Sequence, residues 1–419
     1  MSVGSITPFK FIFKSDENDK LLDLSTFPLI AWHKALTLDD IFKFYSYLEL
    51  EFNDETGVVS DLIVSAEGAI FTSDLGYERE EKDGYLSGKW VWDSNQVVGL
   101  KKATHLRGNH IISFLSSYFQ KDSIKSRAWN DNLYNVVADV IKKDFGLVSS
   151  DKKVFITKSL SKIKNNNYYQ INETTAQFLV RLTERAYSDS FEYSPFVTFT
   201  NSAGEFYFCA LEELFNTSEL ISPDTYMLIN DEDASISAFS IQNLNVIQSG
   251  FSINKPSYKK KVYRRKEDGT SEGKVTTIQD HLITSSGKGS ILVRKNNLNF
   301  QKNEEAFDYV NFGITNGDKD DPMYKGFRNN LFLNSSLYMR MNATIRFNPK
   351  AVTGKSINIE IGSTIKEKNN KSSEYCGKWL IISSKSCYDK NGQPYNILQI
   401  CKNRVVVDSV NLINKDFIS

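Results

Sequence analysis

Two Gly-Lys-Trp segments, one near each end of the chain, constrain the fold more than any other feature. Ser87-Gly88-Lys89-Trp90-Val91-Trp92 is echoed by Cys376-Gly377-Lys378-Trp379-Leu380-Ile381. Upstream of each lies a similar run ending in Phe-Asn: LELEFN (Leu48 to Asn53) and ATIRFN (Ala343 to Asn348). Both runs alternate apolar and polar residues, the period of a half-buried strand. One β-unit is therefore expected twice. The closing stretch, Cys376 to Arg404, reads as two long strands joined by a turn at Asn391-Gly392 and Pro394, where Asn and Gly tolerate φ > 0 and Pro fixes the exit. Two barrel-like modules in one chain would let three chains present six similar modules in a ring, and a closed ring of strands has no free edge.

The abundance of Phe (28) and Tyr (20) against scarce Pro (8) favours sheet over disorder. Lys plus Arg equals Asp plus Glu, 51 each, so no whole-molecule field draws the chain to nucleic acid or anionic lipid. No basic n-region with an apolar h-region opens the sequence, and no apolar run has the ~18 residues of a membrane span. Synthesis in the cytosol without stable membrane insertion is expected.

Residues 1–120 read as the first tube-like module. Within it, Thr37-Leu38-Asp39-Asp40 predicts a short helix start, with Thr37 as N-cap and acids in the first turn. Residues 54–86, punctuated by Gly57, Gly68, Gly76 and Gly84, predict hairpins. Residues 121–215 read as an α+β unit. Leu133, Val136, Val137, Val140 and Ile141 fall at helical spacing before a Gly146 stop, and Thr174 with Gln177 fits a capping box. Pro195 to Phe215 predicts strand, turn, strand and a short helix. Residues 216–334 read as a less regular insertion or linking domain, with strand or linker over Ala234 to Phe251. It holds a basic run, Tyr258 to Lys266, with an Asp268-Gly269 turn after it, and two polar loops, Ser285–Ser290 and Gly317–Asp321. Residues 335–419 read as the second tube-like module. The fold class expected is thus α+β, β-dominated.

Chemistry-bearing patterns are sparse. Cys209, Cys376, Cys387 and Cys401 form no C-x-x-C; Cys387 and Cys401 sit on the two arms of the closing hairpin, and reduced core thiols are expected there. His33, His105, His110 and His281 belong to no zinc motif. Gly287-Lys288-Gly289 lacks the upstream Gly and following Ser/Thr of a phosphate loop. The adjacent acids Glu80-Glu81, Glu212-Glu213, Glu304-Glu305 and Asp320-Asp321 read as solvated surface, since glycosidases place carboxylates across a bond. The basic run with Tyr258 and Tyr263 reads as an exposed hairpin or a contact for an acidic protein, ahead of phosphate binding or base stacking. No catalytic residue, metal or cofactor is expected. Gly88, Lys89, Trp90, Gly377, Lys378 and Trp379 are expected to anchor the repeated unit, and the tryptophans, Trp92 included, to sit in core or interface.

Three stretches resemble a known family. They are SSYFQKDSIKSRAWNDNLYNVVADVIKKDFGL (Ser116 to Leu147), ETTAQFLVRLTERAYSDSFEYSPFVTFTNSAGEFYFCALEELF (Glu173 to Phe215) and the closing GKWLIISSKSCYDKNGQPYNILQICKNR. In this order they are similar to the central hub proteins of contractile phage tail baseplates, of the T-even and Mu-like type, and to the hub part of type VI secretion spike proteins. The resemblance implies a homotrimer whose six tube-like modules make a pseudo-sixfold ring. That ring would join a hexameric tail tube to a trimeric central spike and form part of the channel wall. It further implies a virion location after assembly in the host cytoplasm, contacts with other baseplate and tape-measure proteins, and DNA only as passing cargo. The chain departs from the secretion type in having no long β-helical needle after residue 410, so a separate spike protein is expected. The alternative is a tail-associated cell-wall hydrolase or carbohydrate-binding tail component.

Overall fold

The structure is a computed structural model that describes residues 9–14, 21–27, 29–66, 68–76, 85–92, 108–160, 167–191, 194–228, 240–248, 258–265, 271–278, 309–312, 339–361, 376–389 and 394–402. The first third holds β1 (Phe9–Lys14), β2 (Leu21–Asp23), β3 (Ile30–Asp40), β4 (Tyr47–Asp54), α1 (Val58–Ser65), β5 (Ile70–Gly76), β6 (Tyr85–Val91) and β7 (Gly108–Ser116). Next come β8 (Lys125–Asn130), α2 (Leu133–Phe145), β9 (Val154–Ile156), β10 (Asn167–Glu173), α3 (Thr175–Thr183), β11 (Phe196–Thr200), β12 (Phe206–Ala210) and α4 (Leu211–Thr217). The remaining described elements are strands: β13 (Tyr226–Leu228), β14 (Ser240–Gln248), β15 (Tyr258–Arg265), β16 (Ser271–Ile278), β17 (Tyr309–Phe312), β18 (Met339–Arg346), β19 (Ser356–Ile361), β20 (Gly377–Asp389) and β21 (Tyr395–Lys402). This is the β-dominated α+β class that the composition favours.

The largest sheet runs β19-β13-β14-β18-β21-β20-β3-β4-β7-β6-β5-β1-β2, with β19 also paired to β20. Two five-strand orders can be read in it. In chain order the first uses β3, β4, β5, β6, β7 and the second β14, β18, β19, β20, β21. Their spatial orders, β3-β4-β7-β6-β5 and β14-β18-β21-β20-β19, place corresponding strands in corresponding positions, and every neighbour in both is antiparallel. In the second, β13 pairs in parallel with both β14 and β19, so the pairings run full circle through six strands. Inside that circle Trp379, Ile381, Leu398, Ile400, Met341 and Ile345 pack as one cluster. Six strands enclose too little space for a pore, and side chains fill it. The first order is extended by β1 and β2, and its core holds Phe11, Phe52, Phe71, Trp90 and Phe114 with Val59 and Ile63 of α1. β13 and β14 lie within residues 216–334, so strands of that segment share the sheet with β18–β21. A separate three-stranded sheet, β16-β15-β17, takes up the basic run, and the Asp268-Gly269 turn lies outside the described residues.

Two local expectations are corrected. Thr37 to Asp40 start no helix: they end β3, which pairs with β4 on one side and β20 on the other. Thr37 and Asp39 are buried there, at 2% and 1% exposure. Tertiary pairing outweighs the local cap signal. Residues 54–86 also contain α1 as well as strand. The carboxylate of Asp54, fully buried at the end of β4, accepts from the amides of Gly57 (2.8 Å) and Ser60 (2.9 Å), satisfying donors at the start of that helix. Those bonds hold its carboxyl below the usual range even though burial pushes it up.

The helices of the middle segment follow the sequence. α2 buries Leu133, Val136, Val137, Val140 and Ile141 and ends at Gly146 with φ 70°, a left-handed conformation glycine adopts without strain. α3 carries the Thr174/Gln177 capping box. Asp122 adds to it, accepting from Thr175 N–H (2.6 Å) and from the Tyr45 hydroxyl (2.5 Å), which ties α3 to the first sheet region. The β11–β12 hairpin is buried on both faces. Phe196, Phe206 and Phe208 face α2 and α3, while Val197, Phe199, Tyr207 and Cys209 face Leu380, Ile382 and Cys401 of β20 and β21. No disulfide joins Cys209, Cys376, Cys387 or Cys401.

Candidate functional site

The two strand sets and the α+β segment meet at one junction, built around β20. Its first half, Gly377 to Leu380, pairs with β19, and its second half, Ser383 to Asp389, pairs with β3. The change of partner coincides with a register shift between Ile381 and Ser383 in the β20–β21 ladder. Just beyond this shift, opposite Ser384, sits Asp39. Its carboxylate accepts from Ser202 N–H (3.0 Å) and Ser202 Oγ (2.8 Å) in the β11–β12 turn, and its carbonyl accepts from Ser383 Oγ (2.9 Å). Burial pushes the Asp39 carboxyl up to about 6, against the lowering effect of the hydrogen bonds from Ser202.

The loop from Ala351 to Lys355 closes the junction. Ser384 Oγ donates to Ala351 O (2.5 Å), and Asn201 Nδ2 donates to Thr353 O (3.0 Å). Gly354 has φ 91°, and a Cβ there would stand 2.8 Å from the Tyr207 ring, so both backbone and packing call for glycine. Lys355 Nζ lies 2.8 Å from Glu205 and 3.1 Å from Glu219. Burial lowers the Lys355 pKa, but these carboxylates outweigh it and hold the ammonium above its ordinary value.

The Gly-Lys-Trp residues take matching ladder positions. Trp90 stands opposite Phe71 of β5 and Trp379 opposite Ile357 of β19. The next residues, Val91 and Leu380, stand opposite Leu115 of β7 and Cys401 of β21. Both indoles are buried, Trp90 at 1% and Trp379 at 0% exposure, and Trp92 is buried with the Trp90 cluster. Lys89 is exposed, while Lys378 donates to Asn216 O (3.3 Å) in the last turn of α4 and has its pKa lowered by burial. The glycines differ in purpose. Gly88 lies under the Trp90 ring, where a Cβ would come within 2.5 Å, and Gly377 adopts φ 103°. Trp90 Nε1 donates to Ser73 Oγ (2.7 Å) across the ladder.

Of the paired acids, only Glu212-Glu213 is described. It begins α4, where acids suit the helix dipole, and Glu213 accepts from the Thr157 hydroxyl. Among the described residues no three His, Cys, Asp or Glu are grouped to hold a metal, and no helix is long and apolar enough to cross a membrane. The glycine-lysine loop and the two polar loops lie outside the described residues. At the junction, hydrogen bonds and packing join both strand sets to the β11–β12 hairpin of the α+β segment. In the sequence Asp39 shows only as a first-turn acid of an expected helix start, and the 351–355 loop only as a Gly between polar residues.

No family model matches the sequence, and no curated protein matches it. Solved structures do. A tail protein from Neisseria meningitidis MC58 has TM-score 0.50 at 8% identity, over 95% of this chain and 98% of that one. The 43 kDa tail protein of prophage MuSo2 from Shewanella oneidensis has TM-score 0.48 at 11% identity, over 94% and 97%. A component of the E. coli type VI secretion system has TM-score 0.44 at 7% identity, over 89% and 73%. The chain thus shares its fold with the Neisseria meningitidis tail protein.

Proposed function

We propose that this chain is a structural protein of a phage tail baseplate, its central hub. The observation that carries the reading is the matched pair of strand orders fused edge to edge through β20 and β3. In this reading residues 1–120 and 335–419 are two copies of one tube-like module, the second completed by β13 and β14 from the 216–334 insertion. Residues 121–215 form the α+β domain that braces them. Three chains then set six modules around a common axis, and threefold copies meet sixfold neighbours: a hexameric tail tube on one face, a trimeric spike on the other. The filled module interiors favour a channel between modules rather than through them. Binding would come from large, partly apolar interfaces rather than from an active site. Other baseplate and tape-measure proteins are further partners, DNA passes as cargo, and assembly takes place in the host cytoplasm.

Light scattering of the purified protein, paired with particle images, tests this. A mass of three chains and a ring with a central hole are expected. A stable monomer without a hole overturns the reading.

The junction makes its own prediction. Because the folded Asp39 carboxyl titrates near 6 rather than at its ordinary value of 3.8, folding gains from protonation. Its contribution is fully present below about pH 4 and is lost as pH rises through about 6, on the order of 3 kcal/mol in all. Asp39→Asn keeps an acceptor for Ser202 N–H and carries no charge. Its melting temperature relative to the unaltered protein is expected to rise between pH 4.5 and 7.5. A difference that stays flat with pH would contradict the assignment.

A further inference from the structure

A cleft of about 580 Å³ opens between β5–β6, the turn at 117–121, the end of α2 and the β11–β12 turn. Four lysines line it, Lys89, Lys121, Lys152 and Lys153, all exposed, against one acid, Asp151. Asp151 is engaged by Val148 N–H (3.1 Å), and Lys153 Nζ donates to Ala203 O (3.1 Å). Lys89, Lys121 and Lys152 make no ion pair among the described residues. Trp90 and Phe145 form part of an apolar floor. Ser116 also lines it, 5% exposed, and its hydroxyl is buried with no hydrogen-bond partner. A chain of zero net charge has here gathered four cations and a single acid in one concavity.

We propose that this cleft binds an acidic peptide segment of a partner protein, carboxylates against the lysines and an apolar side chain over the floor. The lysines repel one another when the cleft is empty, and carboxylates relieve that repulsion while the concave wall focuses the field. The volume lies within the range of ordinary ligand sites, about 300–1,000 Å³, which suits a short segment rather than a folded face. Single-stranded nucleic acid fits less well. It calls for open aromatic faces, whereas Trp90 is 1% and Phe145 5% exposed, and no arginine fork lines the cleft. The inference is independent of the ring arrangement and stands for a monomer or a trimer.

The test uses the purified full chain with two fluorescent probes, an oligoglutamate peptide and an oligothymidylate, followed by anisotropy at low and at physiological salt. The peptide is expected to bind, to weaken with salt, and to lose about tenfold or more in affinity in the Lys89→Glu/Lys152→Glu variant. Because all four lysines are exposed, melting temperature should hardly move; Lys121→Gln and Lys152→Gln singly, each weakening the peptide, serve if the double variant unfolds. Absence of peptide binding, equal binding by the variants, or preference for the oligothymidylate with the same lysine dependence would each overturn the proposal.

Discussion

Trp90→Ala is expected to cost about 3–5 kcal/mol of stability, the usual loss for truncating a buried tryptophan, and Trp379→Ala a similar amount. Trp90 lies in the cluster of Phe11, Phe71 and Phe114, and Trp379 in the separate cluster inside the six-strand circle. Each alanine leaves a cavity that rigid ladders on both sides keep from collapsing. The Trp90 change carries a second penalty, because Ser73 Oγ, in a residue 2% exposed, loses the indole N–H donor. Trp90→Phe restores much of the apolar contact but not that bond, so its melting temperature should fall between those of Trp90→Ala and the unaltered protein. Losses of this size are a large share of the 5–15 kcal/mol that stabilises a typical domain. Thermal melts of the three variants decide the matter. Melts close to the unaltered protein would mean that the two indoles are peripheral to their cores.

Text and structure agree where the information is local. Gly146 stops α2 and Thr174 with Gln177 starts α3, because each signal acts within one turn of its helix. The β11–β12 hairpin was legible from its turn residues, Asn201 to Gly204. A distant partner leaves no local trace. Thr37-Leu38-Asp39-Asp40 looks like a helix start, yet these residues pair with Ser383 to Ser386, and nothing near residue 40 announces β20. The burial of Asp39 likewise depends on Ser202, far along the chain. α1 escaped for a subtler reason. Its capping acceptor, Asp54, sits in the preceding strand, while the N-cap position itself holds Gly57 at φ 78° with no side chain to offer. The Gly-Lys-Trp text is instructive in another way. The two tryptophans take matching ladder positions, but the two glycines answer different needs: one clears space for an indole, the other turns the backbone.

The α+β segment supplies the other large effect, at Asp144. This carboxylate, with a side chain only 4% exposed, accepts from Arg127 Nη1 (3.0 Å) and Nη2 (2.6 Å), lies 2.7 Å from Lys125 Nζ and accepts from Thr175 Oγ1 (2.6 Å). It thereby fastens β8 to α2 and to the first turn of α3. Arg127 also donates to Gln170 of β10 and stacks on Trp129 at 5.0 Å, so one guanidinium aligns both strands of the β8–β10 ribbon. Asp144→Ala leaves two cations and a hydroxyl facing an emptied site. Lys125 and Arg127 retain 23% side-chain exposure, which lets water relieve part of the cost, so the expected loss is about 3 kcal/mol, the lower end for a broken buried pair. The pH dependence separates lost charge from lost packing. Burial raises the Asp144 pKa, but the bonds from Arg127, Lys125 and Thr175 outweigh it and hold the folded carboxyl below its ordinary 3.8. Its stabilisation is therefore present above about pH 4 and disappears as pH falls through the lower folded value. The gap in melting temperature between the unaltered protein and Asp144→Ala should be wide at neutral pH and narrow towards pH 3. A gap that persists unchanged in acid would assign the loss to packing alone and remove the ion cluster from the account of how this segment is held.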